Sequence, residues 1–556
     1  MLNIFNKCLN LQITKKYLIN NNRYYSTISS SSSSSSSGNI KSEEFKNSDA
    51  YIISKNNKAW EVIIGIEVHA QTKSKEKLFS DSANIGSMEG FRANSRVSFT
   101  DAAFPGTLPI LNEKCVEQAI KTGLALGAKI NKYSYFDRKH YFYQDLPQGY
   151  QITQYNEPIV KGGQMLLNLS NQRQKLIRIS HIQLEQDSGK SIHDIHPTLS
   201  FVDLNRAGIG LMEIVSHADF NSSEQVGAYI KQLQHLLKHI GSSDANMQFG
   251  EMRCDVNISV HEPNTPLGTR VELKNMISAK AIMGSIDAEA QRQIEILENG
   301  GKIQRETRGF NQETGQTFHL RTKQDEVDYR FFSEPDLPPL IISDSQINRI
   351  RENLGELPQD MKQRIIRQYS LNEYDASLLM EDQRVAKYFE ESIHFNSQTK
   401  PREIKKILPW ILKEMFSWMN QHNQSFQSIP ISVKRFCEFL DLIESGLIST
   451  RAGKTIFDKM LSQANEDNNF TSMDLDPKAL VDSLGLSQIS DDEYLDKLCH
   501  RLVIDHPTQT TEYKSGKTRV YKFFIGEIMK LTKGRSNPEK VNLYLKKYLD
   551  TPNVQK

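Results

Sequence analysis

The stretch WEVIIGIEVHAQ (residues 60–71) carries the strongest indication of the fold of this chain. With a period of two, its apolar residues fall on one face and its polar residues on the other, as in a strand with one buried face. The polar face carries Glu67 and His69, and Gly65 leaves room for a close approach. A carboxylate and an imidazole two residues apart can reach one metal ion or one phosphate-bound ion. The alternative is a half-exposed antiparallel strand whose polar face meets water.

The same division into an apolar and a charged face recurs in residues 182–187, 253–260 and 270–274. The charged residues of these three faces are Glu185, Asp187, Arg253, Asp255, Arg270, Glu272 and Lys274. Grouped carboxylates repel one another unless cations lie between them, and Arg and Lys bind phosphoryl oxygens. The pattern therefore indicates metal-assisted phosphoryl transfer.

The usual nucleotide-binding motifs are absent from the sequence. A Gly-Lys pair followed by Ser or Thr begins at Gly189, Gly453 and Gly516, but none has a glycine five residues earlier, so none is a P-loop. Gly208 and Gly210 lack the third glycine of a dinucleotide fingerprint and indicate a tight turn. If ATP binds, the charged sheet face must hold it through metal ions.

Size and composition set wide limits on this chain. Its 556 residues allow two to four domains, and its net charge of +2 gives no overall field for nucleic acid. The five cysteines include no CxxC pair, which argues against a disulfide framework or a structural zinc site. No apolar run approaches the ~20 residues that a membrane-spanning helix needs.

The N-terminal segment has the composition of a mitochondrial transit peptide. Residues 1–42 contain Lys and Arg but no Asp or Glu, and an unbroken serine tract fills residues 29–37. The alternative is plain low complexity. Import would place the protein in the mitochondrial matrix, and Arg23-Tyr24-Tyr25-Ser26 is similar to a matrix-peptidase site cleaved after Tyr25.

Helical patterns and strand patterns follow one another without regular alternation, which favours an α+β fold. Helices are predicted at 115–126, 222–240 and 277–297 within the strand-rich part, and at 372–379, 385–393, 401–419, 433–443, 520–531 and from 537 beyond it. The polar residues 463–472 are predicted to be a loop. The predicted domains are 1–58 (transit peptide and serine-rich tail), 59–345 (catalytic), 346–402 (helical connection) and 403–553 (helical tail).

Several motifs together resemble the B subunits of glutamyl-tRNA(Gln) amidotransferases, the GatB/GatE family. They are GIEVHAQ (65–71), DRKHYFYQDLPQGYQITQYNEPI (137–159), LEQDSGK (184–190), VDLNRAGIGLMEIVS (202–216), RCDVNISV (253–260), RVELKNM (270–276), ETRGF (306–310) and DYRFFSEPDLPPL (328–340). The sequence FFIGEIMKLTKGRSNPEKVNLYLKKYL (523–549) resembles the family's helical tail, which is related to YqeY proteins.

The resemblance implies a catalytic cradle with an antiparallel sheet, related to glutamine synthetase and guanidino kinases, followed by all-α helical and tail domains. It implies that ATP and Mg²⁺ serve to phosphorylate the glutamyl side chain of misacylated Glu-tRNA(Gln), and that ammonia then displaces phosphate to give Gln-tRNA(Gln). It also implies a heterotrimer with two partners, an amidase (A) subunit, which is the glutaminase that supplies ammonia, and a small (C) subunit.

Matched position by position, the family motifs imply a set of site residues in this chain. Glu67, His69, Glu185 and Glu213 are expected as metal ligands, Glu251 as a further nearby carboxylate, and Arg253 and Lys274 as groups that neutralise the acyl phosphate. Asp255 and Asp187 are also expected at the site, although a carboxylate beside Arg can be a structural ion pair. Glu213 can alternatively be a buried acid satisfied by the backbone.

Two departures from the family pattern bear on the metal site. Gln186 and Gln248 stand where many relatives carry a second acid, and each removes one possible ligand. The chain also lacks the cysteine cluster that binds zinc in some relatives, so no zinc is expected. The first alternative function is a tRNA-binding adaptor with reduced or absent chemistry. A second is a free-standing ligase acting on free glutamate, which the long helical tail argues against.

The C-terminal helices are locally basic. Residues 514–547 contain ten Lys or Arg and two acids, a balance of +8. Contacts with the tRNA backbone are expected there, although a charge run is often a solvated face. The candidate residues are Lys530, Lys533, Arg535, Lys546 and Lys547.

The transit-peptide interpretation predicts the N-terminus of the mature protein. Because the acid-free segment would be removed on import, we expect mass spectrometry of protein isolated from mitochondria to find Ser26, or a residue shortly after it, at the N-terminus. Recovery of the intact serine tract behind Met1 would contradict this.

Overall fold

A computed structural model describes residues 51–84, 91–170, 173–322, 328–396, 401–462, 475–489, 491–532 and 534–550. The predicted transit peptide up to residue 50, the predicted loop at 463–472 and the candidate residue Lys533 lie outside these ranges. Within them, the first part of the chain is a mixed sheet with helices and the remainder is helical. The α+β prediction is therefore confirmed at the level of fold class.

One large sheet organises the first part of the described chain. The strands are β1 (Tyr51–Ile53), β2 (Ala59–Gln71), β3 (Lys129–Ile130), β4 (Tyr133–Ser134), β5 (Asp137–His140), β6 (Tyr150–Thr153), β7 (Val160–Lys161), β8 (Gln164–Asn168), β9 (Gln174–Gln186), β10 (Lys190–Ile192), β11 (Phe201–Asp203), β12 (Gly210–Ser216), β13 (Met252–His261), β14 (Val271–Leu273), β15 (Glu306–Asn311), β16 (Gln316–Thr322), β17 (Phe332–Ser333) and β18 (Leu340–Ile341). The large sheet has the order β16-β15-β14-β13-β2-β12-β9-β7-β3, with β1 on β2 and β8 on β9. A smaller sheet has the order β17-β5-β6.

Strand β2 lies at the centre of the large sheet, as its sequence pattern suggests. Every second residue from Trp60 to Ala70 is buried, and the alternate residues from Glu61 to His69 are partly exposed. The predicted apolar and polar faces are therefore confirmed. The apolar face packs into the largest hydrophobic core of the described chain.

The prediction of a purely antiparallel sheet is wrong at one position. β14 and β15 run parallel, whereas β2 pairs antiparallel with β12 and β13. The parallel pair follows from helix Ala279–Glu298, which lies between the two strands in the chain and carries it back to the same end of the sheet.

Strand β12 was not predicted from the sequence, which indicated a tight turn at Gly208 and Gly210. The turn is present, since Gly208 has a φ of 82°, but Gly210 already begins the strand. A Cβ atom on Gly210 would lie 2.7 Å from the Thr72 hydroxyl oxygen, so glycine allows β12 to approach this residue.

The nine helical segments predicted from the sequence start close to the predicted positions, but the helices that begin at Asp344, Pro358, Thr450, Pro477, Asp492 and Pro507 were not predicted individually. Sixteen α-helices are present in the described residues. They are α1 (Glu113–Ala125), α2 (Ser223–Ile240), α3 (Ala279–Glu298), α4 (Asp344–Glu352), α5 (Pro358–Tyr369), α6 (Glu373–Leu379), α7 (Gln383–His394), α8 (Ile404–Pro409), α9 (Phe416–His422), α10 (Val433–Glu444), α11 (Thr450–Ser462), α12 (Pro477–Leu484), α13 (Asp492–Asp505), α14 (Pro507–Lys514), α15 (Tyr521–Leu531) and α16 (Pro538–Leu549). For α2, Ser222 caps the first turn by accepting from the Gln225 amide, and Gly241 ends the helix with a φ of 67°.

The helix predicted over 401–419 is interrupted. α8 ends at Pro409, a π-helical turn spans Trp410–Met415, and α9 continues from Phe416. Pro409 has no amide hydrogen to donate within the helix, and a wider turn follows it.

Buried apolar residues of the described chain fall into three separate cores. The first lies between Trp60 and Ile350, the second between Met361 and Val481, and the third, much smaller, between Leu495 and Leu549. The predicted domain boundaries at 58, 345 and 402 stay predictions. No described helix is both long enough and apolar enough to cross a membrane.

Helix α1 provides a test of packing around the sheet. A Cβ atom on Gly123 would lie 2.7 Å from Cγ2 of Val160, which is fully buried. Because a buried valine cannot move aside, we expect Gly123→Ala to lower the opening free energy of α1 by about 1–3 kcal/mol, measured by hydrogen exchange.

Gly526 in α15 is the matched control, since no atom lies within 4 Å of the corresponding position. Gly526→Ala is expected to stabilise its own helix by roughly 0.5–1 kcal/mol because alanine loses less backbone entropy. Equal effects of the two substitutions would contradict the close approach at Gly123.

Candidate active site

The register of three central strands brings polar residues of distant segments into one row. Glu213 of β12 pairs with His69 of β2, and His69 pairs on its other side with Arg253 of β13. Gln183 of β9 pairs with Glu213 and extends the row. Because residues paired across a sheet point to the same face, these four side chains share the polar face of the sheet.

An imidazole and two carboxylates meet at this row. His69 Nε2 lies 3.4 Å from Glu185 Oε1 and 3.9 Å from Glu213 Oε2. One ligand atom from each of the three residues lies within 4.8 Å of the others. Among the described residues, this is the group of His, Cys, Asp and Glu side chains close enough to share a metal ion.

Two neutral side chains hold the carboxylates in place. Gln183 Nε2 donates to Glu213 Oε2 at 2.7 Å and to Thr153 Oγ1 at 3.1 Å. The Thr153 hydroxyl in turn donates to Glu185 Oε2 at 3.3 Å. Sequence reasoning assigned no role to Gln183 or Thr153. For Gln183, its position on the polar side of β9 was a feature of the sequence that could have indicated a role.

The carboxylates are destabilised by their surroundings. Burial raises the pKa of Glu213 well above its usual value, and the nearby charges of Glu185 and Glu67 raise it further. A cation among these oxygens would supply the missing positive charge. Carboxylate oxygens with one imidazole also form a donor set that suits Mg²⁺ or Mn²⁺, so the residues fit a divalent ion.

Glu67 does not join the three-residue group, although it was expected as a ligand. It lies two residues from His69 on the same face, and Asn257 Nδ2 donates to its Oε1 at 3.0 Å. Its carboxylate oxygens are not among the ligand atoms that lie within 4.8 Å of one another around His69. Its charge still reaches the site, because it raises the pKa of Glu213.

Glu251 also lies apart from the group. It precedes β13, and its carboxylate accepts from the Asn246 amide at 3.2 Å. Its pKa is raised by burial, and the charges that influence it are those of Asp244, Lys238 and Lys73, not those of the row. The structure therefore does not bring Glu251 to the candidate metal ligands.

The basic residues of the polar face are held by acids. Arg253 Nη2 lies 2.7 Å from Asp187 Oδ2, and Lys274 Nζ lies 2.6 Å from Asp255 Oδ2. Asp187 raises the pKa of Arg253. Burial lowers the pKa of Lys274, but Asp255 and Glu272 together outweigh burial and raise it. Asp187 and Asp255 thus form ion pairs, and both basic groups stay charged.

Arg253 retains a donor for a further anion. Its Nε atom is buried and makes no hydrogen bond in the described structure. Beside the Arg253–Asp187 pair, a cavity of about 330 Å³ opens, lined in part by Gln186, Asp187 and Asp145. Of the ion pair, Asp187 lines this cavity, whereas Arg253 and the three candidate ligands do not. The polar face therefore offers cation ligands at His69 and, on the neighbouring strands, two charged basic groups.

Comparison with protein families matches two parts of the chain. Residues 62–348 match the GatB/GatE catalytic domain, and residues 387–549 match the GatB domain. The first match includes every strand of the polar face from β2 to β16.

Individual relatives match over almost the full chain. It is 69% identical over 518 residues to the mitochondrial B subunit of glutamyl-tRNA(Gln) amidotransferase from Dictyostelium discoideum, covering 92% of this chain and 95% of the relative. It is 45% identical over 502 residues to the B subunit of aspartyl/glutamyl-tRNA(Asn/Gln) amidotransferase from Rickettsia conorii, covering 90% of this chain and all of the relative. The chain therefore belongs to the GatB/GatE family.

Proposed function

We propose that this chain is the B subunit of a mitochondrial amidotransferase that converts Glu-tRNA(Gln) to Gln-tRNA(Gln). The observation that carries the proposal is the meeting of His69, Glu185 and Glu213 on the sheet face of a chain with this family membership. The 69% identity to a mitochondrial relative supports the same compartment.

The reaction has two steps. In the first, an oxygen of the glutamyl side-chain carboxylate attacks the γ-phosphorus of ATP, and the bond to the departing ADP breaks. In the second, the nitrogen of ammonia attacks the acyl carbon, the carbon–oxygen bond to phosphate breaks, and a proton is lost from nitrogen. In both steps negative charge develops on oxygen atoms of the reacting groups, so positively charged groups are needed next to these oxygens.

His69, Glu185 and Glu213 would hold Mg²⁺, which when bound offsets the negative charge of the ATP phosphates. Gln183 and Thr153 keep the two carboxylates aimed at this position. Arg253 and Lys274 remain charged beside it and would neutralise the acyl phosphate.

We infer further that the first part of the chain has the cradle fold of glutamine synthetase and guanidino kinases. The long sheet with one charged face is consistent with that fold. The proposed partners are an amidase (A) subunit, which would supply the ammonia that the second step consumes, and a small (C) subunit; membership of a family of B subunits supports such an assembly.

The basic tail is the proposed tRNA contact. Its candidate residues differ in their exposure and in their contacts within the tail. Lys530 and Lys546 are exposed on α15 and α16. Arg535 donates to the Gly485 carbonyl oxygen at 2.9 Å, and Lys547 lies 2.9 Å from Asp496, so both also make contacts within the tail.

The metal-ligand proposal predicts a loss of chemistry without loss of tRNA binding. In the complex reconstituted with the amidase and the small partner, we expect His69→Ala to lower Gln-tRNA formation from Glu-tRNA(Gln), ATP and ammonia by at least about 100-fold. His217→Ala is the control, since His217 is exposed just beyond β12. Full activity of His69→Ala would contradict the metal-ligand proposal.

The tail proposal predicts a change in salt dependence. Deleting residues 514–556 is unsuitable because it would remove Phe524, Ile528 and other residues of the tail core. We expect Lys530→Glu with Lys546→Glu to weaken tRNA binding and to flatten the slope of log affinity against log salt by roughly two, measured by filter binding.

Lys387→Glu on α7 is the matched control, because its side chain is 74% exposed and lies outside the basic tail. An unchanged slope in the tail variant, or an equal change in the control, would rule out these two lysines as phosphate contacts.

A further inference from the structure

A row of aromatic rings lies on the segment between β5 and β6, on the segment that follows β6, and on the segment before β17. We call Tyr143, Tyr141, Tyr329, Phe331 and Tyr155 the aromatic row. Neighbouring ring centroids along it are 5.9, 6.3, 5.9 and 3.9 Å apart. The last pair, Phe331 and Tyr155, is stacked with an interplanar angle of 8°.

The aromatic row lies close to the candidate metal ligands, because Tyr155 follows two residues after Thr153, whose hydroxyl donates to Glu185 Oε2 at 3.3 Å. Burial raises the pKa of Tyr141, and the charges of Glu185 and Asp187 raise it further. Lys139 lies between the rings, with Nζ 5.0 Å from the centroid of Tyr329 and 6.0 Å from that of Tyr141. The charge of Lys139 also reaches Glu213, whose pKa it lowers.

The outer residues of the aromatic row are open to solvent. Tyr155 is 58% exposed and Tyr143 is 57% exposed. Large aromatic side chains are usually buried, so a contiguous row whose two ends are exposed and whose middle is partly exposed, next to a reaction site, indicates a binding surface. Rings interleaved with a lysine form the type of surface that binds unpaired nucleotides, because every base can stack and the cation meets the phosphates.

We propose that the aromatic row binds the unpaired 3′ end of the substrate tRNA by stacking its bases. This rests on the proposed function, in which the reacting glutamate is esterified to the 3′-terminal ribose. The glutamyl group can reach His69, Glu185 and Glu213 only if the terminal nucleotides lie against the surface next to them. The middle of the aromatic row lies near that surface, and Tyr143 and Tyr155 at its two ends are open to solvent.

The size of the aromatic row favours an RNA strand over the adenine of ATP. A single adenine would occupy one or two rings, whereas five rings at these spacings offer places for several bases. The position of Lys139 among the rings also suits a chain in which a phosphate follows each base.

The test uses the complex of this chain with its amidase and small partners and a Glu-tRNA(Gln) whose terminal adenine is replaced by 2-aminopurine. Stacking quenches 2-aminopurine fluorescence, so a titration gives the dissociation constant without any need for catalysis. We expect quenching by the unaltered complex and an increase of about tenfold in the dissociation constant for Tyr155→Ala. Tyr155→Phe, which keeps the ring, is expected to restore binding.

Two further variants distinguish a loss of base stacking from a loss of the folded structure. Phe331→Leu keeps apolar bulk but removes the inner ring of the stacked pair, and it should weaken binding as Tyr155→Ala does. Tyr374→Ala is the matched control, because Tyr374 is 72% exposed on α6, away from the aromatic row. It should leave the dissociation constant unchanged.

The outcomes distinguish this proposal from the proposed function. Absence of Gln-tRNA formation by the unaltered complex would contradict the function, while the fluorescence titration would still report on stacking. Unchanged tRNA affinity in both Tyr155→Ala and Phe331→Leu would overturn the proposal. A raised KM for ATP with unchanged tRNA affinity would assign the rings to adenine and also overturn it.

Discussion

The backbone pairing of β2 with β12 on one side and β13 on the other is the constraint on which the site depends. It aligns Glu213, His69 and Arg253 in one row, although they come from three distant segments. A shift of either neighbour by one residue would turn its charged side chains into the hydrophobic core. The buried residues on the other face of β2, such as Ile64 and Ile66, therefore fix the position of the polar ones.

The polar face combines two different electrostatic arrangements. Around His69 the acids are in excess, and the pKa of Glu213 is raised first by burial and then by the charge of Glu185. Around Arg253 and Lys274 every basic group has an acidic partner and remains charged. A cation bound at the first place and anionic oxygens at the second would complete both arrangements without rearrangement of the strands.

The regular features of the fold follow from local sequence patterns. The alternation in β2 and the Ser222 and Gly241 caps of α2 were predictable because each depends on neighbouring residues in the chain. Strand β12 was missed because most of its residues are buried, so it lacks a clear alternation.

The candidate site was predictable in composition but less so in geometry. His69 and Glu185 follow from strand patterns, and Glu213 came from the family resemblance. The separation of Glu67 and Glu251 from the ligand group depends on strand spacing and on the start of β13, which no local pattern gives. Gln183 and Thr153 act through contacts between separate strands, so their part in holding the carboxylates required the structure.

The central place of β2 has a consequence for how the chain acquires its structure. β2 precedes its two neighbours by a long way, as the contacts of Ile66 with Ser216 and of Glu67 with Asn257 span 150 and 190 residues. When the chain emerges from a ribosome or a membrane pore, starting at its N-terminus, β2 is exposed before either β12 or β13 is available. Until Ser216 has followed, β2 pairs only with β1 at its beginning, and the rest of it is an open strand with one apolar face. Such a strand aggregates readily unless a chaperone covers it.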